Sequence, residues 1–204
     1  MPPRTLLLLA AAILAAAPAP ARAQSPADSA TRAAANPADV KWMQGMIHHH
    51  AQAILIAGWA PSHGASASVQ TLCARIIVSQ RDEIALMSRW LAKRGQSVPA
   101  PDSMDLMMPE MDAAAMMPGM LSASQLARLD AARGAEFDRL FLQYMIQHHQ
   151  GAIVMVNQLF ASGAGEENSV YKLASAIYAD QTTEIARMQQ MLKQIVLAPD
   201  PTGR

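Results

Sequence analysis

The stretches MIHHHAQAILIA (Met46 to Ala57) and MIQHHQGAIVMV (Met145 to Val156) decide the reading of this chain. Each is an aliphatic run that carries adjacent histidines. In the first, Met43, Met46, His50, Ala53 and Ala57 recur at steps of three and four, which draws one apolar stripe along a helix. In the second, Leu142, Met145, His149, Ala152 and Val156 do the same. The spacing therefore predicts two helices with His50 and His149 on the core-facing seam. His49 and His148 fall about 100° away, on the flank.

The two stretches belong to a longer repeat. At an offset of 99 residues, Asp39, Met46, Ile47, His49, His50, Ala53 and Ile54 fall on Asp138, Met145, Ile146, His148, His149, Ala152 and Ile153. At an offset of 101, Gln80, Glu83, Ile84 and Met87 fall on Gln181, Glu184, Ile185 and Met188. The change of offset implies a two-residue insertion in the second half. Each half reads as a helical hairpin with an apolar face to bury. Two such hairpins predict an all-α, ferritin-like four-helix bundle with pseudo-two-fold symmetry.

Punctuation along the chain sets the boundaries. Asn36 caps a helix with Pro37 at its first position, and Pro61 ends it after about Ala60. The second helix begins near Ser66 or Ser68 and stops at Arg94, before Gly95. The first hairpin thus spans 36–94. Residues 95–121 form a Pro/Met-rich linker or lid, with methionines at 104, 107, 108, 111, 116, 117 and 120. The second hairpin, 122–198, opens with Ser122 and Gln125 in a capping box, with Leu121 stapled to Leu126. Gly134 separates this short piece from a main helix over 135–161. The last helix runs from about Ser169 to Leu197, before Pro199.

The rest of the chain narrows the class. Arg4, the apolar Leu6–Ala17 run and Ala21-Arg22-Ala23 read as a secretory signal peptide over 1–23, with 24–35 as a flexible arm. The run is too short to span a bilayer, although an N-terminal anchor helix is the other reading. No cysteine stands at the cleavage site to carry a lipid. Cleavage leaves 14 basic residues against 16 acidic ones. That balance is no footprint for nucleic acid, and no basic amphipathic helix points to a membrane. Cys73 is the one cysteine, so an internal disulfide or a thiolate cluster is excluded; it reads as a small core residue.

Buried imidazoles need partners, and a metal ion is one kind of partner. Gln80, Glu83 and Met87, like Gln181, Glu184 and Met188, each share one helix face. Folded against the histidine stripes, they would bring imidazole, carboxylate and thioether together in the bundle. Imidazole suits copper, zinc, iron or nickel, and thioether sulfur turns the preference toward Cu(I). Met46 and Met145 stand three and four residues before the histidines, within reach of either. The candidate metal residues are His49, His50, His148, His149, Met46, Met145, Met155, Glu83, Glu184, Asp39 and Asp138, with copper as Cu(I) or Cu(II). Plainer readings stand beside these. The histidines could be hydrogen-bonded core residues, the methionines packing, and Asp39 a helix-start carboxylate. His48, whose counterpart is Gln147, reads as a surface or auxiliary residue, and His63 as a solvated loop residue.

The blocks DVKWMQGMIHHHAQAILIA with SQRDEIALMSRWL, and EFDRLFLQYMIQHHQGAIVMV with DQTTEIARMQQML, resemble the family catalogued as domain of unknown function 305. The resemblance covers about Asp39 to Leu197. It implies a ferritin-like helical fold and metal binding by the matched His and Met positions, with copper as the metal, as in the family's periplasmic copper-tolerance proteins. The family's frequent methionine after the aliphatic run is present as Met155 but is Ile56 in the first half. The resemblance therefore favours a site around His148, His149 and Met155.

Three functions follow as expectations. The first is a non-enzymatic copper-binding protein, periplasmic or secreted, that buffers, sequesters or delivers the metal. Its partners would be the ion, another periplasmic copper-handling protein and a second copy of the chain. Its binding should weaken as pH falls through roughly 6–6.5, where imidazole protonates. The second is a ferritin-like di-metal oxidase, which would take Glu-x-x-His from two helices; here EIAL and EIAR lack that histidine. The third is a periplasmic interaction or sensor module with structural histidines.

Overall fold

The computed structural model describes residues 35–100 and 117–197. The expected leader, nearly all of the expected arm and most of the Met-rich segment lie outside the described residues. Five helices follow one another: α1 (Pro37–Gly58), α2 (Ala67–Lys93), α3 (Ala123–Ala131), α4 (Gly134–Ala161) and α5 (Asn168–Leu197). The all-α expectation holds. α3 is the short piece that the capping box announced.

Local chemistry sets the ends. Asn36 accepts from the Ala38 amide at 2.9 Å, with Pro37 in the first turn of α1. Ser66 caps α2 through the Val69 amide. Gly95 leaves α2 in the left-handed region, φ 65°, a conformation open to glycine at little cost. Ser122 and Gln125 form both bonds of the capping box on α3.

Within each hairpin the helices pack along one another, α1 on α2 and α4 on α5. The hairpins meet mainly through α1 and α4, and α3 rests on α4. α1 and α4 are therefore central helices, buried on two faces rather than one. That corrects the single-stripe reading. On α1, one face turns to α2 and another to α4, so His49 is as fully buried as His50. The same holds for His148 and His149.

The core divides into two clusters on either side of these histidines. One gathers Leu72, Ile76, Leu126, Leu129, Phe137, Phe141, Met145 and Met188. The other gathers Trp42, Met43, Met46, Met87, Trp90, Met155 and Val156. Met46 and Met145 thus lie in opposite clusters. Cys73 lies in the first, and burial pushes its thiol up to about 12. It is a core residue, as expected.

The hairpins are also tied end to end. Asp39 at the start of α1 accepts from the Gly165 amide at 2.7 Å, in the turn before α5. Asp138 at the start of α4 accepts from the Ser66 amide, 3.2 Å to each oxygen, in the turn before α2. Ser66 and Gly165 stand at the same repeat offset as the two aspartates. The two-residue insertion falls just after this turn, at Glu166-Glu167. Glu167 uses it to reach Arg94 at 2.5 Å and the Trp90 indole at 3.2 Å.

Candidate metal centre

Four imidazoles meet where α1 crosses α4. The rings of His49 and His148 stack at the centre, 3.8 Å between centroids and tilted by 39°. His50 and His149 lie outward, each against the carboxylate of its own hairpin. His149 Nε2 and Glu184 Oε2 are hydrogen-bonded at 2.7 Å. His50 Nε2 and Glu83 Oε2 approach to the same 2.7 Å, but too far out of line for a hydrogen bond. The order across the bundle is Glu83, His50, His49, His148, His149, Glu184. The repeat thus places its copies about a pseudo-two-fold axis between the central rings.

Much of this polar chemistry is unanswered within the protein. Among the described residues, both ring nitrogens of His148, and Nδ1 of His49, His50 and His149, are buried and find no hydrogen-bond partner. The buried amides of Gln80 and Gln181, one turn before the glutamates, also have unpartnered atoms. An unpartnered buried polar group costs on the order of 1–3 kcal/mol. Burial pushes the His49 imidazole down to about 3, with the neighbouring His50 adding to the effect. Burial pushes His148 well below the ordinary histidine range, helped by His49. Both rings are neutral at pH 7, with lone pairs available.

A short backbone strap covers the central pair. Residues 117–121 run along the groove between α1 and α4. The Pro118 carbonyl accepts from His49 Nε2 at 2.9 Å, which leaves the lone pair of that ring on Nδ1. Gln52 grips Leu121 at both ends, donating to its carbonyl at 3.1 Å and accepting from its amide at 2.8 Å. Gln147 donates to the Gly119 carbonyl at 3.4 Å and is itself held by Gln125. Gly151 has no room for a side chain, since a Cβ there would lie 1.9 Å from the Pro118 carbonyl oxygen. One turn before His49, the Sδ of Met117 and the Cε of Met155 both crowd Gly45, at 3.3 and 3.5 Å from where its Cβ would be.

The predicted residues sort themselves on this frame. His49, His50, His148, His149, Glu83 and Glu184 form one row across the bundle. Met155 lies beside Met117 at the edge of the strap. Asp39 and Asp138 do not join that row; their carboxylates answer backbone amides, so they are corrected from metal candidates to fold ties. Asp138→Ala is expected to lower the free energy of unfolding by about 2 kcal/mol, measured by urea denaturation; an unchanged midpoint would remove the tie. His63 is likewise corrected. It is buried, its Nε2 meets the Asp130 side chain at 3.0 Å, and its ring stacks on Trp59. A loop histidine can close a turn against a distant helix, and nothing local in the sequence announces that.

Gln52, Gln147, Gly151 and Met117 were not among the predicted site residues. A signal for three of them was present in the repeat. The halves differ at 45/144, 48/147, 52/151 and 56/155, which recur at steps of three and four on one face, although they differ at 51/150 and 57/156 on other faces too. That face carries the strap in the assembled protein.

The donor chemistry fits a soft or borderline ion: neutral imidazoles with free lone pairs, and two thioethers one turn away. The geometry is not a ready-made cage. Among the described residues, no three His, Cys, Asp or Glu side chains stand close enough together to hold an ion.

Known proteins share this architecture. A fragment from Deinococcus radiodurans superposes with TM-score 0.67 at 31% identity, covering 78% of this chain and 98% of its own. CopM in its Cu(II)-bound form superposes with TM-score 0.62 at 30% identity, over 76% of this chain and 96% of that one. CopM in its Cu(I)-bound form gives TM-score 0.58 at 29% identity, with the same coverage. No curated protein sequence matches the chain. The sequence profile of the family described as Domain of unknown function (DUF305) matches residues 39–192, most of the length, and the chain belongs to that family.

Proposed function

We propose that this protein is a non-enzymatic, extracytoplasmic copper-binding protein that buffers or hands on the metal. One observation carries the reading: a fully buried, neutral His49–His148 pair whose ring nitrogens go largely unanswered among the described residues. Protein interiors rarely leave so many buried polar atoms unpaired in one place. A metal ion would answer them. Met117 and Met155 add soft donors beside the pair and tilt the preference to Cu(I). The copper-bound CopM structures support the choice of metal by similarity.

His50–Glu83 and His149–Glu184 take the supporting place in this reading. A carboxylate against an imidazole nitrogen orients the ring and raises its basicity. Glu184→Gln is expected to weaken Ag+ binding about tenfold without abolishing it, measured by competition with a chelator. An unchanged affinity would leave that pair a structural contact. The same engagement of both glutamates by histidine speaks for binding over di-metal oxidation, which draws its carboxylates directly onto the ions.

The extracytoplasmic setting rests on the leader read from residues 1–23. Among the described residues, no helix is long and apolar enough to cross a membrane. A protein that delivers copper needs an acceptor, and another copper-handling protein of the same compartment, or a second copy of this chain, would fill that role.

The test is direct. The purified chain, stripped of metal, is titrated with Cu(I) and Ag+ against a chromogenic chelator. Uptake of a soft monovalent ion with sub-micromolar affinity is expected. No uptake of Cu(I), Ag+ or Cu(II) at micromolar concentration would overturn the reading and leave the histidines structural.

A further inference from the structure

The central imidazoles lie closer together than one shared ion permits. A metal–imidazole nitrogen bond is about 2.0–2.1 Å long. Two imidazoles on a single ion therefore have ring centroids about 5 Å apart for a tetrahedral angle, and about 6 Å apart for a linear one. His49 and His148 stand at 3.8 Å. One of the rings has to move before both can hold the same ion.

The helices themselves are poor candidates for that movement. Around the pair, α1 and α4 are fixed by fully buried Met43, Met46, Ile47, Ile56, Phe141 and Leu142. The strap is held differently. Among the described residues, 117–120 have one hydrogen bond to His49 and a longer one from Gln147. Met120 closes a turn onto the Met117 carbonyl at 3.2 Å, and Gly119 adopts φ 79°. Leu121, gripped at both ends by Gln52, is the fixed end about which this turn could swing.

We propose that residues 117–120 form a latch on the metal site, in which the Pro118 carbonyl, accepting from His49 Nε2, pins that ring against His148 and must let go before both rings can hold one ion. Lifting the latch frees that nitrogen, releases the ring from its stack on His148, and opens the groove between α1 and α4. This inference rests on the metal-binding reading above. Gly151 is the residue that lets the latch seat, because any Cβ there would overlap the Pro118 carbonyl. Gln52 is the hinge clamp.

Gly151→Ala tests the proposal. The substitution suits a helix interior and evicts the strap rather than the helix. A closed site that opens only a small fraction of the time takes up ligand in proportion to that fraction. Holding the latch off is expected to speed Ag+ uptake about tenfold or more in stopped-flow mixing. In the wild-type chain, hydrogen exchange at the Met120 amide is expected to accelerate when Ag+ is added, while the Leu121 amide stays protected.

The outcomes separate the two readings. If the wild-type chain takes up no Ag+, the metal-binding reading fails and the latch fails with it. If it takes up Ag+ with Met120 exchange unchanged, the latch alone is overturned. A folded Gly151→Ala variant, checked by circular dichroism, that takes up Ag+ at the wild-type rate also overturns it.

Discussion

Replacing His148 with alanine is expected to lower the affinity for Ag+ and Cu(I) by about 100-fold or more. The expectation follows from where the ring sits. His148 is fully buried, neither of its nitrogens finds a partner among the described residues, and it faces His49 across the pseudo-two-fold axis. Its loss removes half of the central donor pair, not a supporting contact. Stability in the absence of metal should change far less, by under about 2 kcal/mol. Truncation leaves a cavity, which destabilises, and removes two unpartnered polar atoms, which offsets part of that. A chelator competition beside urea denaturation separates the two effects. If His148 were structural, stability would fall and metal uptake would stay level. That result would also favour the interaction-module function.

Acid supplies the second large effect. A histidine whose folded value is depressed binds fewer protons folded than unfolded. Stability is then fully present above the unfolded value, near 6.5, and is lost as the pH falls from there toward the folded value. For His49 that window runs down to about 3. Each such ring contributes a slope of about 1.4 kcal/mol per pH unit within its window. His148 is shifted in the same direction and adds to the slope. The chain without metal is therefore expected to lose several kcal/mol between pH 6.5 and pH 4.5, measured by urea denaturation at stepped pH. A flat profile across that range would mean that the pair is not held neutral by burial. The same depression revises the expected pH dependence of metal binding. Half-loss of binding near pH 6–6.5 belongs to exposed imidazoles. Rings kept unprotonated by burial should retain the ion to a lower pH, as long as the fold survives.

The hairpin design was legible because local rules and the repeat agree. Asn36-Pro37, the Ser122/Gln125 box and Gly95 act within a turn of their own position, so their effects need no knowledge of the rest of the chain. The pairing of His50 with Glu83 and of His149 with Glu184 was also within reach, since both partners lie on facing stripes of one hairpin. The aspartates were misread for the opposite reason. A carboxylate repeated at the head of two helices looks chemical, yet each one answers an amide in the other hairpin.

Sequence by itself determined that the chain is helical, that it is built twice, and that each copy carries a histidine stripe and a glutamate stripe able to face one another. These follow from periodicity and capping, which are properties of neighbouring residues. Only the tertiary structure decided that His49 meets His148, that a strap from the linker lies on that pair, and that Asp39 and Asp138 serve the fold. Those facts depend on how two hairpins cross. A helix buried on two faces shows a single blurred stripe in sequence, and the second face becomes visible only when its partner is in place.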